Sequence, residues 1–432
     1  MRSPLPALDS LTWDSLATLF LRSSLVGLEF LCAIVVARRF GATAYGVLAL
    51  VTSSIVLLAI PATLGFDRLL LRESALLKAS GKFGELRVLL VTATKIVLGL
   101  SALLALIFAA GGMLWATPSS EVPLALLIGA LALPALTFAR IRQAAVVGLG
   151  HVRAGQLPET LVQPLALLLL VSLIPVTGAT WIPVIAYVSA TAIASAAGVW
   201  ILRRTLPAAG AIAESSVDAR ALTRTALPFV WIAAMNTLLT YGDVLIVGMV
   251  SDAASAGVYR VASHAAMLVA FPLTAVNMAA APRIAAAFAR QDSASMQQVA
   301  TTAARRALLG AIAILLALCL FGRPVLGLFG AEFVAGYPAM VILGAAYLFN
   351  AAAGTSGYLL IMTNHEPAAG ACFTIAGLLT VIGNLLLVPR WGIEGAAIAS
   401  GVSVIVLSAG LVLTARRRLG IRPTALGRLR AA

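Results

Sequence analysis

A succession of apolar runs, each long enough to cross a bilayer, constrains the fold of this chain more than any other feature. A helix of about 20 residues spans the hydrocarbon core, which is about 30 Å thick. An unclosed sheet would leave backbone groups without hydrogen bonds in lipid, so the runs are expected to be helical. They lie near residues 16–36, 43–64, 88–110, 122–139, 157–175, 180–201, 226–250, 258–281, 307–322, 337–361, 368–388 and 393–414. The sequence therefore predicts an all-α membrane protein with twelve transmembrane helices.

The composition agrees with a membrane protein and excludes a soluble domain. Of the 432 residues, 61% are hydrophobic and 11% are charged, whereas a soluble domain has about 45–50% apolar and about 25% charged residues. The net charge of +14 is typical of nucleic-acid binders. In a polytopic chain, however, basic residues set the topology, so no nucleic-acid partner is expected.

The distribution of Lys and Arg predicts the orientation. Of the 30 such residues, Arg22 and Lys95 lie within spans and five lie in the loops of one side. The other 23, among them Arg142, lie on the side that holds both termini. The five are Arg38, Arg39, Arg260, Arg323 and Arg390. Cytoplasmic loops carry the excess of basic residues, so both termini are expected in the cytoplasm of a bacterial cell, with the chain in the inner membrane.

The chain matches itself when it is shifted by 214 residues, close to half its length of 432. At this shift, the half-length offset, the matches involve uncommon residue types, which are more informative here than Leu or Ala. They are Tyr45 with Tyr259, His151 with His365, Pro175 with Pro389, Gly178 with Gly392, and Arg203-Arg204 with Arg417-Arg418. This predicts two six-helix halves, 1–205 and 226–432, in a parallel repeat with a pseudo-two-fold axis along the membrane normal, joined by a cytoplasmic linker at 206–225.

Two predicted spans at equivalent positions carry polar residues. Arg22 and Glu29 lie in the first span, and the half-length offset places Asn236 and Asp243 at the matching positions of the seventh. Seven residues are nearly two helical turns, so each pair shares one helix face. Because a charge at the bilayer centre costs about 2.5–3.5 kcal/mol, these faces are expected to line a polar space between the halves.

Three further ionisable residues are candidates for the same cavity. His264 follows Arg260 in the eighth span and also fits a hydrogen-bonded interior residue. Lys95 lies about two turns from the end of its span and also fits a side chain that extends to the interface. The predicted cavity set is Arg22, Glu29, Lys95, Asn236, Asp243, Arg260 and His264.

Motifs of catalysis and cofactor binding are absent from the sequence. There is no Walker A loop, GxSxG elbow, HExxH helix or spaced Cys/His set, so the chain is not expected to be an enzyme or to need a cofactor or metal. The segment 67–87 has mixed charge at amphipathic spacing, which favours a helix lying on anionic membrane lipids over a catalytic loop.

Four segments resemble a known family. They are "ARRFGATAYGVLAL" at 37–50, "GFDRLLLRE" at 65–73, "SAGVYRVASHAAMLVAFPLTAVNMAAAPRIAA" at 255–286 and "LLVPRWGIEGAAIAS" at 386–400. These segments resemble the Wzx-type polysaccharide-biosynthesis flippases of the multidrug/oligosaccharidyl-lipid/polysaccharide exporter superfamily. The resemblance covers nearly the whole chain, but its motifs connect helices and specify the family better than the sugar carried.

The resemblance implies a two-lobed transporter that moves a polyprenyl-diphosphate-linked oligosaccharide across the cytoplasmic membrane by alternating access. It also implies that the polar positions of the first and seventh helices line the central cavity. The expected partners are this lipid-linked glycan, a coupling ion (H⁺ or Na⁺) and a polysaccharide polymerase. One departure is that "MTNHEPAAG", residues 362–370, lacks the Lys or Arg that relatives often carry there.

Two other functions remain open at this point. A multidrug/cation antiporter of the same fold would favour acids in its cavity, whereas here cations accompany Glu29 and Asp243. An integral-membrane glycan enzyme would need a long loop or an extramembrane domain to hold its active site. The sequence shows neither, which favours the flippase.

The charge asymmetry yields a testable topology. Reporter enzymes fused after Ala432 and within residues 206–226 are both expected to be active in the cytoplasm, because 23 basic residues lie on that side against five on the other. A periplasmic signal from either fusion would contradict the assignment.

Overall fold

The computed structural model describes the backbone of residues 8–114, 121–176, 178–206 and 219–427, and the side chains of 27–113, 121–176, 178–206 and 230–427. This part of the chain is helical, without strands. The helices are α1 (Leu8–Thr63), α2 (Phe66–Ala79), α3 (Phe83–Leu114), α4 (Val122–Ala130), α5 (Ala132–Gly148), α6 (Val152–Leu157), α7 (Gln163–Leu173), α8 (Ile182–Thr205), α9 (Ala219–Val250), α10 (Ala253–Met267), α11 (Phe271–Ala289), α12 (Ser293–Gly327), α13 (Tyr337–Ala353), α14 (Ser356–Met362) and α15 (Glu366–Leu419). A π-helical turn, Pro158–Val162, separates α6 from α7, and a 3₁₀ helix, Ala331–Gly336, precedes α13.

Ten helical stretches in these ranges are long and apolar enough to cross a membrane. Three of them combine two consecutive helices: α4 with α5, α6 with α7, and α10 with α11. Many of their exposed side chains are apolar, such as Leu106, Leu309 and Leu320, each at least 70% exposed. Leucines so placed fit a hydrocarbon solvent and not water. The chain is a multi-pass, all-α membrane protein.

The two longest helices are each interrupted at a glycine. Gly41 in α1 has φ 78° and ψ 174°, and Gly392 in α15 has φ 54° and ψ −133°. These are positive-φ conformations that glycine adopts without a Cβ penalty. Each long helix therefore consists of two helical segments that meet at a bend.

Glu332 stabilises the restart of α1 after Gly41. Its Oε1 accepts a hydrogen bond of 2.7 Å from the backbone amide of Ala42. The first amides of a helical segment lack intrahelical acceptors, so a carboxylate there both satisfies a donor and complements the helix dipole. The bend at Gly41 is thus fixed by a partner distant in sequence.

The chain divides into two compact units. The first comprises Met1–Phe40 with Leu58–Leu227, and the second comprises Gly41–Leu57 with Pro228–Ala432. The bend at Gly41 coincides with a boundary between them. Division into 1–205 and 226–432 stays a prediction, and most of the predicted linker at 206–225 lies outside the described residues.

Each unit has its own apolar core. In the first unit, α2, α3 and α5 pack around residues such as Leu70, Leu86 and Ile141. In the second unit, α11, α12, α14 and α15 pack around residues such as Ile284 and Leu359. Lipid supplies no hydrophobic force between helices, so close packing and internal hydrogen bonds hold them together.

In the second unit, the segment after Gly41 packs very closely against α10 through two glycines. A Cβ on Gly46 would lie 1.7 Å from the carbonyl oxygen of Ala253, and a Cβ on Gly257 would lie 2.5 Å from that of Ala42. The contact is reciprocal, as in a helix pair related by a two-fold axis. Small residues four apart on each helix make this approach possible.

Local backbone geometry recurs at the half-length offset. Gly150 and Asn364 both have positive φ, and the next residues, His151 and His365, precede α6 and α15. The amide of His151 bonds to Val146, as that of His365 bonds to Leu360, at the same offset. Gly178 and Gly392 also share positive φ in this register.

A third pair of turns repeats in a slightly different register. The amide of Lys82 bonds to Leu77, as that of Asp292 bonds to Ala287. These turns join α2 to α3 and α11 to α12. Lys82 and Asp292 are 210 residues apart, four fewer than the half-length offset.

Arg142 does not lie in a cytoplasmic connection, where the charge distribution placed it. Helix α5 continues to Gly148, and Arg142 is 1% exposed. Helix α5 can hold the buried guanidinium of Arg142 because Glu159 forms an ion pair with Arg142 inside the first unit. The prediction of a connecting segment was wrong for this residue, and the excess of basic residues on the cytoplasmic side stays a prediction.

The Gly46 contact predicts a sharp sensitivity to substitution. Gly46→Ala is expected to destabilise the protein by about 1–3 kcal/mol, because its Cβ cannot fit against Ala253 without moving a helix. The measurement is thermal unfolding of the purified protein in detergent. Gly99→Ala is the matched control, since no atom lies within 4 Å of its Cβ position in α3. Equal unfolding temperatures for the two variants would contradict the packing argument.

Candidate functional site

The second unit buries a carboxylate within its helices. Asp243 on α9 is 5% exposed. Its Oδ2 accepts hydrogen bonds from the hydroxyls of Tyr259 at 2.6 Å and Ser400 at 3.0 Å. Its Oδ1 accepts one from the amide of Val244 at 2.8 Å. Three donors converge on one carboxylate and satisfy its buried oxygen atoms.

The network continues along α15. Ser400 receives a weak hydrogen bond of 3.4 Å from the Nδ2 of Asn384, which also donates to the carbonyl of Thr380 at 2.8 Å. The Oδ1 of Asn384 is buried without a hydrogen-bond partner among the described residues. Asn384 and Ser400 lie on either side of the bend at Gly392, which brings the two segments of α15 together at this point.

A cation lies beside this network. Arg260 on α10 is 8% exposed, and its guanidinium carbon lies 4.7 Å from the ring centre of Tyr241. This distance is typical of a cation–π contact. Arg260 also interacts electrostatically with Asp243, with His264 one turn further along α10, and with Tyr347 on α13.

The arrangement can bind ions of both signs. Asp243, Ser400 and the free Oδ1 of Asn384 present oxygen atoms, which hard cations prefer, while Arg260 can pair with an anion. Among the described residues, no group of three or more His, Cys, Asp or Glu side chains is placed to hold a metal ion.

The structure brings together three of the seven predicted residues. Asp243, Arg260 and His264 belong to one cluster, and Arg260 lies inside α10 and not in the loop to which the charge count assigns it. Glu29 in α1, Lys95 in α3 and Asn236 in α9 are exposed. The side chain of Arg22 lies outside the described residues. A cavity shared by all seven stays a prediction.

Other members of the cluster were not predicted. Tyr259 served only as a marker of the repeat, and Asn384, Ser400 and Tyr347 had no assigned role. An amide side chain in an apolar span, as at Asn384, is a signal that could have been used. Pairing of Ser400 with Asp243 depends on tertiary packing and leaves no local pattern.

Residues 13–288 match the family described as polysaccharide biosynthesis protein. No curated protein matches the sequence. Among solved structures, an inward-facing multidrug resistance MATE family transporter of the MOP superfamily has a TM-score of 0.75 at 13% identity, over 92% of this chain and 94% of that chain.

Two further structures share the fold. The lipid II flippase MurJ in an inward closed conformation has a TM-score of 0.67 at 14% identity, over 93% of this chain and 87% of that one. A MOP superfamily transporter from Pyrococcus furiosus, described as having a binding pocket of reversed polarity, has a TM-score of 0.63 at 14% identity, over 94% of both chains.

The family match covers more than half of the chain, and the structural matches cover nearly all of it. The chain therefore belongs to the polysaccharide biosynthesis protein family and shares its fold with these three solved structures.

Proposed function

We propose that this protein is a flippase that moves a polyprenyl-diphosphate-linked oligosaccharide across the bacterial cytoplasmic membrane by alternating access, for cell-surface polysaccharide synthesis. The observation that carries the proposal is the match of residues 13–288 to the polysaccharide biosynthesis family. The shared fold with a lipid II flippase supports it.

The substrate has an anionic head, a polar sugar and an apolar tail. Its carrier needs cations for the diphosphate, hydrogen-bonding groups for the sugar and a lipid-facing path for the tail. Arg260 is a nearly buried cation in the described part of the chain, and Arg22 and Lys95 are further candidates. In this proposal, Arg22 receives the diphosphate and Glu29 or Asp243 contacts sugar hydroxyls or a coupling cation.

Three observations support twelve spans in two six-helix halves. Counting α1 and α15 as two segments each, divided at Gly41 and Gly392, turns ten spanning helices into twelve. The turns before His151 and His365 share their hydrogen bonds at the half-length offset. The third observation is the reciprocal contact of Gly46 and Gly257, whose separation along the chain is three residues shorter than that offset.

Asp243 is the proposed site of a coupling ion. Its carboxylate, the hydroxyl of Ser400 and the unpartnered Oδ1 of Asn384 form an oxygen-rich group that suits H⁺ or Na⁺. Arg260 interacts with Asp243, so an ion bound to the carboxylate would alter how strongly Arg260 attracts an anionic substrate. This electrostatic link between Asp243 and Arg260 is the proposed basis for coupling ion binding to substrate transport.

Two other partners are part of the proposal. Anionic lipids of the cytoplasmic leaflet would contact the exposed Arg416, Arg417 and Arg418 in the last turn of α15. A polysaccharide polymerase would receive the flipped glycan.

A multidrug/cation antiporter is the second candidate function. The TM-score of 0.75 with a multidrug transporter exceeds that of 0.67 with the flippase and favours this alternative. Arg260 inside the polar cluster disfavours a cationic cargo, because like charges repel where water is scarce. An integral-membrane glycan enzyme is less favoured than either transporter.

The flippase proposal predicts that Arg22→Ala impairs transport of the lipid-linked sugar at least tenfold, because hydrogen bonds to charged groups contribute about 1.5–3 kcal/mol each. The measurement is flipping in proteoliposomes, together with surface polysaccharide in cells. Arg306→Ala, which removes an exposed arginine of α12, is the matched control and should transport normally.

The double variant Arg22→Ala with Glu29→Ala distinguishes contact of Arg22 with the substrate from pairing of Arg22 with Glu29. Substrate contact by Arg22 predicts that the double variant stays impaired. Full recovery would show that Arg22 serves only to pair Glu29. Transport of cationic drugs in place of the lipid-linked sugar would support the antiporter.

The coupling proposal predicts that Asp243→Asn removes the response to an imposed H⁺ or Na⁺ gradient. Asparagine can still accept hydrogen bonds from Tyr259 and Ser400 but carries no charge. The measurement is flipping with and without each gradient. Asp252→Asn is the matched control, since Asp252 caps α10 and asparagine is an equally good cap. An unchanged gradient response in Asp243→Asn would contradict the assignment.

A further inference from the structure

The first unit contains an ion pair of its own. Arg142 on α5 donates from Nη2 to the Oε1 of Glu159 on the π-helical turn. The Arg142 side chain has no exposed surface, and that of Glu159 is 20% exposed. Both residues lie in helices apolar enough to span the membrane. Ionisable groups in such a place are expensive to bury and are commonly functional.

This pair leaves three buried polar atoms without hydrogen-bond partners among the described residues. They are the Nε and Nη1 of Arg142 and the Oε2 of Glu159. Buried polar atoms are nearly always satisfied in folded proteins, so three in one pair require an explanation. A structural ion pair would be expected to use both oxygens of the carboxylate.

The packing around Arg142 limits what can bind. A Cβ on Gly198 of α8 would lie 1.6 Å from the Nη1 of Arg142, so the guanidinium occupies the space that this glycine leaves. No room remains on that side for an anion or another side chain. On the carboxylate side, Oε2 of Glu159 has a free lone pair, and a proton is the ligand that needs no added volume.

The turn that carries Glu159 is itself unusual. It is π-helical, and Pro158 and Pro164 lie at its two ends. π-Helical turns interrupt the regular ladder and occur frequently at functional sites. At the half-length offset, Arg142 corresponds to Ser356 and Glu159 to Phe373, so the pair is not part of the repeated architecture.

We propose that Glu159 is a proton-binding site of the first unit. A proton from water adds to Oε2, one O–H bond forms, and the carboxylate becomes a neutral acid; the reverse step returns the proton to water. Arg142 keeps its charge because a guanidinium does not deprotonate in proteins. The proposal rests on the proposed transport function, which the proton would regulate or drive.

Arg142 is the charged group that acts on the Glu159 carboxylate. The π-helical turn packs against α6, α7 and α8. Their charged and titratable residues are Arg153 on α6 and Tyr187, Arg203 and Arg204 on α8, while α7 has none. The other cation of α5 is Arg140. Protonation removes the negative charge that compensates Arg142. The unpaired guanidinium then favours an arrangement in which it leaves Gly198 and the π-helical turn relaxes.

Infrared difference spectroscopy of the full-length protein in lipid nanodiscs tests the site directly. On acidification, the wild type should show the carbonyl band of a protonated carboxylic acid, because the proton adds to Oε2 and leaves Oε1, the acceptor of the Arg142 hydrogen bond, as the carbonyl oxygen. Glu159→Gln should lose this band. Glu85→Gln, in which the carboxylate of an exposed pair with Lys82 is replaced, is the matched control and should keep it. Identical difference spectra for the wild type and Glu159→Gln would overturn the proposal.

The pH dependence of transport tests what the proton does. A one-proton step changes the wild-type rate by up to about tenfold per pH unit, and Glu159→Gln should abolish this change. If Glu159→Gln does not fold because Arg142 is left unpaired, the neutral double variant Arg142→Gln with Glu159→Gln replaces it in both assays. A wild-type pH profile in that double variant would overturn the proposal.

Failure of the flippase proposal would have a different signature. A chain that carries another substrate would not flip the lipid-linked sugar but would still show the Glu159 band. Normal flipping of the sugar, combined with identical infrared spectra for the wild type and Glu159→Gln, would refute only the proton site.

Discussion

The exclusion of water from the hydrocarbon core governs this structure, because polar groups placed there depend on partners within the protein. Helices satisfy the backbone along most of the chain, and special contacts occur where helices break. At Gly41 the helix restarts against Glu332, whose carboxylate replaces the missing acceptor of the Ala42 amide. At Gly392 the bend places Asn384 near Ser400, so the two segments of α15 both contribute side chains to the polar cluster around Asp243.

The sequence predicted the features that depend on composition and on local periodicity. Apolar runs located the helices, and rare residues such as His151 and His365 marked equivalent turns whose hydrogen bonds then proved alike. The prediction was incomplete where partners are distant in sequence. Asp243 was recognised as an intramembrane acid, but its bonds to Tyr259 and Ser400 depend on how three helices pack. Arg142 was misassigned because a charge after an apolar run looks like the end of a span until its partner is known.

The two units use similar turns but different polar chemistry. The second unit surrounds Asp243 with neutral donors and keeps Arg260 nearby, whereas the first pairs Arg142 directly with Glu159. Turns tolerate little change because their backbone conformations need particular residues, as at Gly150 and Asn364. Interior polar positions are freer to diverge as long as each charge keeps a partner. The two units thus hold two dissimilar ionisable sites.

The assignment of Gly41–Leu57 to the second unit has a consequence for biosynthesis. This segment is synthesised early, but Ala253 and Gly257, against which it packs, follow after about half of the chain has been added. At ordinary ribosomal rates the interval is about 10–40 s, long compared with helix formation. During that time the small-residue face of the segment lacks its partner on α10. The second unit therefore depends on a helical segment that is synthesised well before the helix against which it packs.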